Sequence, residues 1–190
     1  MGFLKYWQLD LPLTYLNIIW RKLDKKAKTI LDVGCGDGSL MALLNYGRRF
    51  KVTGVDLYKP YLEKAKKTKV YKKVVLEDVR KLDFGDKSFD IVFCSQVIEH
   101  LTKEEGERLI ENLEKIAKKQ VIITTTVGFF PYDPFEGKDE NPFQTHKSRW
   151  QPEEFKESLH PPIFFLSYLF SPLFYLFPKL AAYMICVKNL

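Results

Sequence analysis

Two periodicities alternate along the chain. Short apolar runs of strand length are separated by stretches in which apolar residues return every three or four positions. The first such stretch follows Pro12, where Leu13, Leu16, Ile19, Trp20 and Leu23 mark one face of a helix. Thr29–Val33 reads as a strand, and Leu40, Met41, Leu43 and Leu44 open a helix running to Asn45. Residues 50–55 form a second strand closed by Asp56, and 60–67 a helix. A short strand over 74–76 ends at Glu77-Asp78. Residues 89–94 are almost wholly apolar, as a strand covered on both faces must be. A helix over 103–118 and a strand over 121–125 continue the series. Strands alternating with helices predict an α/β fold with a doubly wound, mainly parallel sheet.

Beyond that series the pattern changes. Residues 127–149 form a long loop of prolines, aromatics and charges, a length that points to substrate contact. Trp150-Gln151-Pro152-Glu153-Glu154 opens another helix, with proline in the first turn and two acids at its positive end. The tail over 162–187 is apolar and aromatic, but Pro172, Pro178 and Lys179 interrupt it, so an uninterrupted membrane span is not expected. Ordinary packing, with a last strand over 181–188, is the simplest use of it; a greasy lid and an interfacial contact stay open, so the expected location is cytoplasmic, with peripheral membrane contact through this segment left open.

Composition adds three points. With 30 basic and 24 acidic residues the net charge is +6. The densest cluster, Lys64, Lys66, Lys67, Lys69, Lys72 and Lys73, has Glu63 and Glu77 nearby and reads as a solvated face; a nucleic-acid partner is not expected. The three cysteines have no CxxC spacing, which excludes a zinc knuckle and suits a reducing cytoplasm. Asp10, Pro12 and Arg21-Lys22 give the N-terminus no signal-peptide character.

The candidate chemistry sits where strands end. In a parallel sheet ligands bind beyond the carboxyl ends of the strands, and Asp32, Asp56, Asp78, Ser95 and Gln96 all fall there. The loop after the first strand, Asp32-Val33-Gly34-Cys35-Gly36-Asp37-Gly38, has glycine at every second position. Such a loop lets backbone approach a nucleotide-like ligand. A nicotinamide fingerprint would need its third glycine at position 39, which is Ser39.

An acid two residues before the first glycine, with Gly38 following, resembles motif I of the class I S-adenosylmethionine-dependent methyltransferases. The resemblance continues in order through Val52-Thr53-Gly54-Val55-Asp56, Glu77-Asp78-Val79, Leu82-Asp83-Phe84, Ser88-Phe89-Asp90-Ile91-Val92 and Gln96-Val97-Ile98-Glu99-His100-Leu101. HKSRWQPEEF, residues 146–155, is similar to a late segment of the small-molecule and lipid-type members. The resemblance implies a Rossmann-like sheet with an antiparallel C-terminal strand. It divides one methyltransferase domain into an N-terminal lid or edge segment (1–28, with Tyr6, Trp7 and Tyr15 as lid candidates), a cofactor-binding core (29–155) and an apolar C-terminal segment (156–190). Strand six of the family has no clear place in this chain.

The resemblance also implies roles. Asp32, Gly34, Cys35, Gly36, Gly38, Asp56, Leu57, Asp78, Val79, Ser95 and Gln96 would bind S-adenosylmethionine, with Asp56 at the ribose, Asp78 at the adenine amino group, and Leu57 and Val79 beside the ring. His100 and His146 are the candidate bases; His160, beside two prolines, is a weaker one. The small-RNA 2′-O- and ubiquinone-pathway O-methyltransferases carry Glu-x-x-Glu-His here and are linked to a divalent metal. In this chain Glu99, His100 and His146 remain but Gln96 replaces the first acid, so no metal is expected. The expected acceptor is small or lipid-like. An RNA or protein methyltransferase and a non-catalytic binding module are the competing readings.

Overall fold

A computed structural model of the chain describes residues 15–126, 141–155, 163–165 and 183–190. Seven strands form one sheet: β1 (Thr29–Val33), β2 (Lys51–Asp56), β3 (Tyr71–Leu76), β4 (Phe89–Ser95), β5 (Ala117–Thr126), β6 (Ile163–Phe165) and β7 (Tyr183–Asn189). Their order is β3-β2-β1-β4-β5-β7-β6. The first five run parallel, and β7 lies antiparallel between β5 and β6. The helices are α1 (Tyr15–Lys22), α2 (Ser39–Leu44), α3 (Lys59–Thr68) and α4 (Lys103–Ile116).

Alternation along the strands divides the core in two. Leu31, Val33, Val92, Cys94, Val121 and Ile123 pack with Leu109, Leu113 and Ile116 of α4. Ile30, Val52, Ile91, Phe93 and Ile122 pack with Leu16, Ile19, Met41 and Leu44 of α1 and α2. Central strands buried on both faces leave polar residues one place to go, the strand ends. Order reverses between β1 and β4, and this puts the cleft above the carboxyl ends of those two strands.

Several boundaries differ from the sequence expectation, each for a physical reason. β3 starts at Tyr71 rather than at 74, because it is an edge strand whose Lys72 and Lys73 stand in solvent and break the apolar pattern. α4 ends at Ile116 and the chain passes straight into β5, where a helix to 118 was expected. Strand six is present as the three-residue β6, paired among the described residues with β7. The helix expected from Trp150 is a 3-10 turn over Pro152–Phe155, in which Glu154 N–H donates to the Gln151 carbonyl. Leu16 and Ile19 of α1 and Leu23 just beyond it are buried, while Trp20, expected on the same face, is 38% exposed. Leu13, the Tyr6 and Trp7 lid candidates, His160 and most of the apolar tail lie outside the described residues, as does the side chain of Tyr15. No helix among the described residues is long and apolar enough to cross a membrane.

Candidate functional site

The loop between β1 and α2 is built by hydrogen bonds that replace strand pairing with a sharp turn. Gly34 N–H and Cys35 N–H both donate to the Val55 carbonyl, at 2.8 and 2.9 Å. Gly36 N–H donates to Asp56 Oδ2 at 2.8 Å, and Tyr58 N–H to Asp56 Oδ1 at 2.8 Å. Asp56 therefore fastens the glycine loop to the end of β2. Gly34 has φ +69°, and a Cβ there would stand 2.2 Å from Val97 Cγ2. Gly36 has φ +55°, and a Cβ there would meet nothing within 4 Å, so its backbone faces open space.

That space is a cleft of about 400 Å³. It brings together Gly34, Gly36, Asp56, Leu57, Asp78, Val79, Gln96 and His100 from the expected site. Tyr61, Arg80, Val97, Leu101 and residues 141–145 and 147 complete the lining. Asp32, Cys35, Gly38, Ser95 and His146 do not line it. Asp32 and Cys35 are buried beneath the loop; Gly38 opens α2 next to Tyr71. Ser95 Oγ pairs with Thr124 Oγ1 at 2.8 Å. His146 stands beside His100 with ring centroids 4.9 Å apart. Two other hollows, beside α1 and α2, have no acid or histidine among the described residues of their walls.

The electrostatics differ among the acids. Burial raises the Asp56 carboxyl above its ordinary range, against three backbone N–H groups that favour its charge. Asp78 is held below its ordinary range by Arg80, whose Nε and Nη2 reach Asp78 Oδ2 at 3.0 and 2.5 Å. Arg80 Nη1 also reaches Glu105 Oε1 at 3.0 Å, and Glu105 forms the capping box of α4 with Thr102. Arg80 escapes a reading by spacing, although Asp78-Val79-Arg80 places the pair within local reach. Gln96 has φ +54°, a left-handed conformation that a residue with a side chain rarely adopts; its N–H donates to the Thr124 carbonyl at 2.8 Å.

The histidine end is held by the segment 141–155. The Glu99 carbonyl accepts Lys147 N–H and Ser148 N–H, at 2.7 and 3.2 Å. Trp150 Nε1 donates to Ser148 Oγ, which donates to the Ile98 carbonyl. Trp150 is buried under Lys103, whose Nζ lies 3.4 Å from the ring centroid. His100 Nδ1 lies 3.3 Å from the Thr145 carbonyl. Glu99 is buried; Thr125 Oγ1 donates to its Oε2 at 2.9 Å, and Oε1 has no hydrogen-bond partner among the described residues. Burial pushes the Glu99 carboxyl up to about 7. Ligand atoms of Glu99, His100 and His146 lie within 4.8 Å of one another. One carboxylate and two imidazoles is a donor set that a borderline divalent ion accepts, one short of a closed tetrahedron.

Comparison with known proteins agrees with this geometry. A family model described as "Methyltransferase domain" matches residues 31–124. The ubiquinone biosynthesis O-methyltransferase of Coxiella burnetii is 32% identical over 108 residues, 54% of this chain and 44% of that protein. The chain thus spans less than half the length of that relative. The PH0226 protein of Pyrococcus horikoshii OT3 superposes with a TM-score of 0.52 at 31% identity, over 59% of this chain and 52% of that one. Magnesium protoporphyrin IX methyltransferase from Synechocystis PCC 6803, solved with bound SAM, superposes over 97% of this chain and 79% of its own, with a TM-score of 0.61 at 15% identity, a likeness of fold. Sheet order, glycine loop and sequence match converge: the chain belongs to the class I S-adenosylmethionine-dependent methyltransferase domain family.

Proposed function

We propose that this chain transfers the methyl group of S-adenosylmethionine to a small-molecule or lipid-like acceptor. The observation that carries the reading is a single cleft with a glycine loop and two strand-end acids at one end and His100 at the other. The residues fit the donor. Gly34 and Gly36 present backbone without side chains, Leu57 and Val79 offer apolar walls, and Asp56, a carboxylate with about four acceptor sites, keeps room for a hydroxyl donor beside the three backbone N–H groups that favour its charge.

A sulfonium is already an activated methyl donor, so the chain must align the acceptor, exclude water and take a proton. With Nδ1–H donated to the Thr145 carbonyl, His100 Nε2 carries the basic lone pair. The acceptor oxygen attacks the methyl carbon, the carbon–sulfur bond breaks to give the neutral thioether, and the acceptor proton passes to His100 or His146. The trio Glu99, His100 and His146 favours a second version: a divalent ion held there would polarise the acceptor hydroxyl in place of the histidine base.

Transfer of labelled methyl groups to phenolic, quinol and lipid acceptors tests the reading. Turnover that survives EDTA is the expected result. Loss on chelation and recovery with a divalent ion would select the second version. Tight binding of S-adenosylhomocysteine without any turnover would leave a non-catalytic donor-binding module.

A further inference from the structure

Gly54 sits inside β2, paired with Asp32 of β1, where no turn calls for glycine. A Cβ there would meet the Tyr71 ring at 2.8 Å and Cys35 Sγ at 2.9 Å. Gly38 faces the other edge of the same ring, where a Cβ would stand 2.7 Å from Cε2. Two glycines thus make room for one aromatic ring. The ring uses that room to bring its hydroxyl to Asp32 Oδ2, at 2.6 Å, across 39 residues of sequence.

Resting on the reading of the cleft as the methyl donor's site, we propose that Tyr71 is a positioning residue for that donor. Its hydroxyl fixes the Asp32 carboxyl beneath the glycine loop and favours its ionised form, so that a negative charge lies behind the Gly34–Gly36 backbone and attracts the donor's ammonium across it. Burial and one side chain, Asp56, oppose that charge. Asp56 arrives from β2 as a like charge. Cys35 from the loop and Cys94 from β4 are thiols held protonated, both pushed up by burial. Asp37, ahead of α2, adds to the negative field at Tyr71. Burial pushes the Asp32 carboxyl up to about 7, and the Tyr71 hydroxyl pulls in the opposite direction. The phenol itself is pushed well above its ordinary range by burial and by Asp32, so it remains a donor at every pH the protein experiences.

The test is calorimetric titration of S-adenosylhomocysteine into wild type, Tyr71→Phe, Asp32→Asn and the double variant, from about pH 6 to about pH 9. Phenylalanine keeps the ring in its niche and removes only the hydroxyl. Wild-type affinity should tighten as pH rises through about 7. Tyr71→Phe should bind about five-fold more weakly near pH 7, rising towards ten-fold at about pH 6, with its midpoint about one unit higher. Asp32→Asn should lose the pH step, and adding Tyr71→Phe to it should change nothing more. A weakening that is independent of pH, or that persists in the Asp32→Asn background, overturns the proposal, as does unchanged binding.

A measurement on the wild type alone stands beside the variants. The Asp32 carboxyl carbon, followed by NMR, should report an ionised group in the complex near neutral pH; a protonated one overturns the proposal even if Tyr71→Phe fails to fold. Failure of the wild type to bind S-adenosylhomocysteine removes the reading of the cleft and the proposal with it. Binding without the pH behaviour removes the proposal alone.

Discussion

Asp32 and Asp56 are two acids at neighbouring strand ends, one sealed beneath the glycine loop and one open to the cleft. Asp32 is 4% exposed, and its carboxyl is raised from 3.8 to about 7. An acid raised in the folded state contributes stability that is fully present below its unfolded value and is lost as pH climbs through its folded value. Between about pH 4 and pH 7, Asp32 alone should therefore weaken the ligand-free fold by roughly 4 kcal/mol at most. Thermal unfolding should show Asp32→Asn falling less steeply than wild type across that window; parallel curves would contradict the burial argument. Asp56 holds the loop through Gly36 N–H and Tyr58 N–H. Asp56→Ala should cost about 1–3 kcal/mol of stability and at least about ten-fold in S-adenosylhomocysteine affinity, read by calorimetry at a temperature where the variant is folded. Asp56 was legible in the sequence because it follows an apolar run and lies 20 residues beyond Gly36. Its second task, fastening the loop, was not, since spacing reports position and not which N–H a carboxylate faces. Tyr71 was hidden further: the cue was a glycine within β2, whose cause lies on another strand.

At the level of elements, the series from β1 to β5 could be read almost directly, because a buried parallel strand must be apolar throughout. The edges could not. Lys72 and Lys73 make β3 look like loop, and three residues of β6 carry too little pattern to register. In the segment 141–155 the helix expected from Trp150 is a 3-10 turn, because side-chain anchoring and not periodicity holds it. Trp150 is its anchor, seated where Gly106 of α4 lacks a side chain: a Cβ there would stand 2.5 Å from Trp150 Cζ2. Gly106→Ala gains about 1 kcal/mol of helix propensity, but overpacking against a buried indole costs about 1–3 kcal/mol. The net loss should appear as a lower melting temperature. Because Ser148 and Trp150 tie the loop to Ile98, the variant should also lose kcat by several-fold while the KM for the methyl donor stays within about two-fold. Unchanged kcat in a folded variant would separate His146 from the chemistry.

At the scale of the whole molecule, the parallel sheet brings acids far apart in sequence to one rim, while the net charge of +6 is carried elsewhere. Lys64 and Lys67 on α3 and Lys72 and Lys73 on β3 are exposed, and Lys66 pairs with Glu63 at 2.7 Å. Lysines on an edge strand discourage another chain from adding to the sheet, which accounts for Lys72 and Lys73 without a polyanion. The cleft itself carries Asp56 and Asp78 on its donor side, with Arg80 already held by Asp78 and Glu105. Lys147 also stands on the cleft wall, so a phosphate backbone crossing that rim would meet the carboxylates of Asp56 and Asp78 as well as that cation. Labelled single-stranded RNA followed by fluorescence anisotropy should therefore show at most weak association at low salt, lost by about 200 mM, with a slope that reports only a few displaced counterions. Charge reversal of Lys72 and Lys73 should abolish that weak association and leave methyl transfer to a neutral acceptor unaffected. RNA binding that persists at high salt and competes with methyl transfer would move the acceptor class from small molecules to nucleic acid, and with it the role of the lysine face.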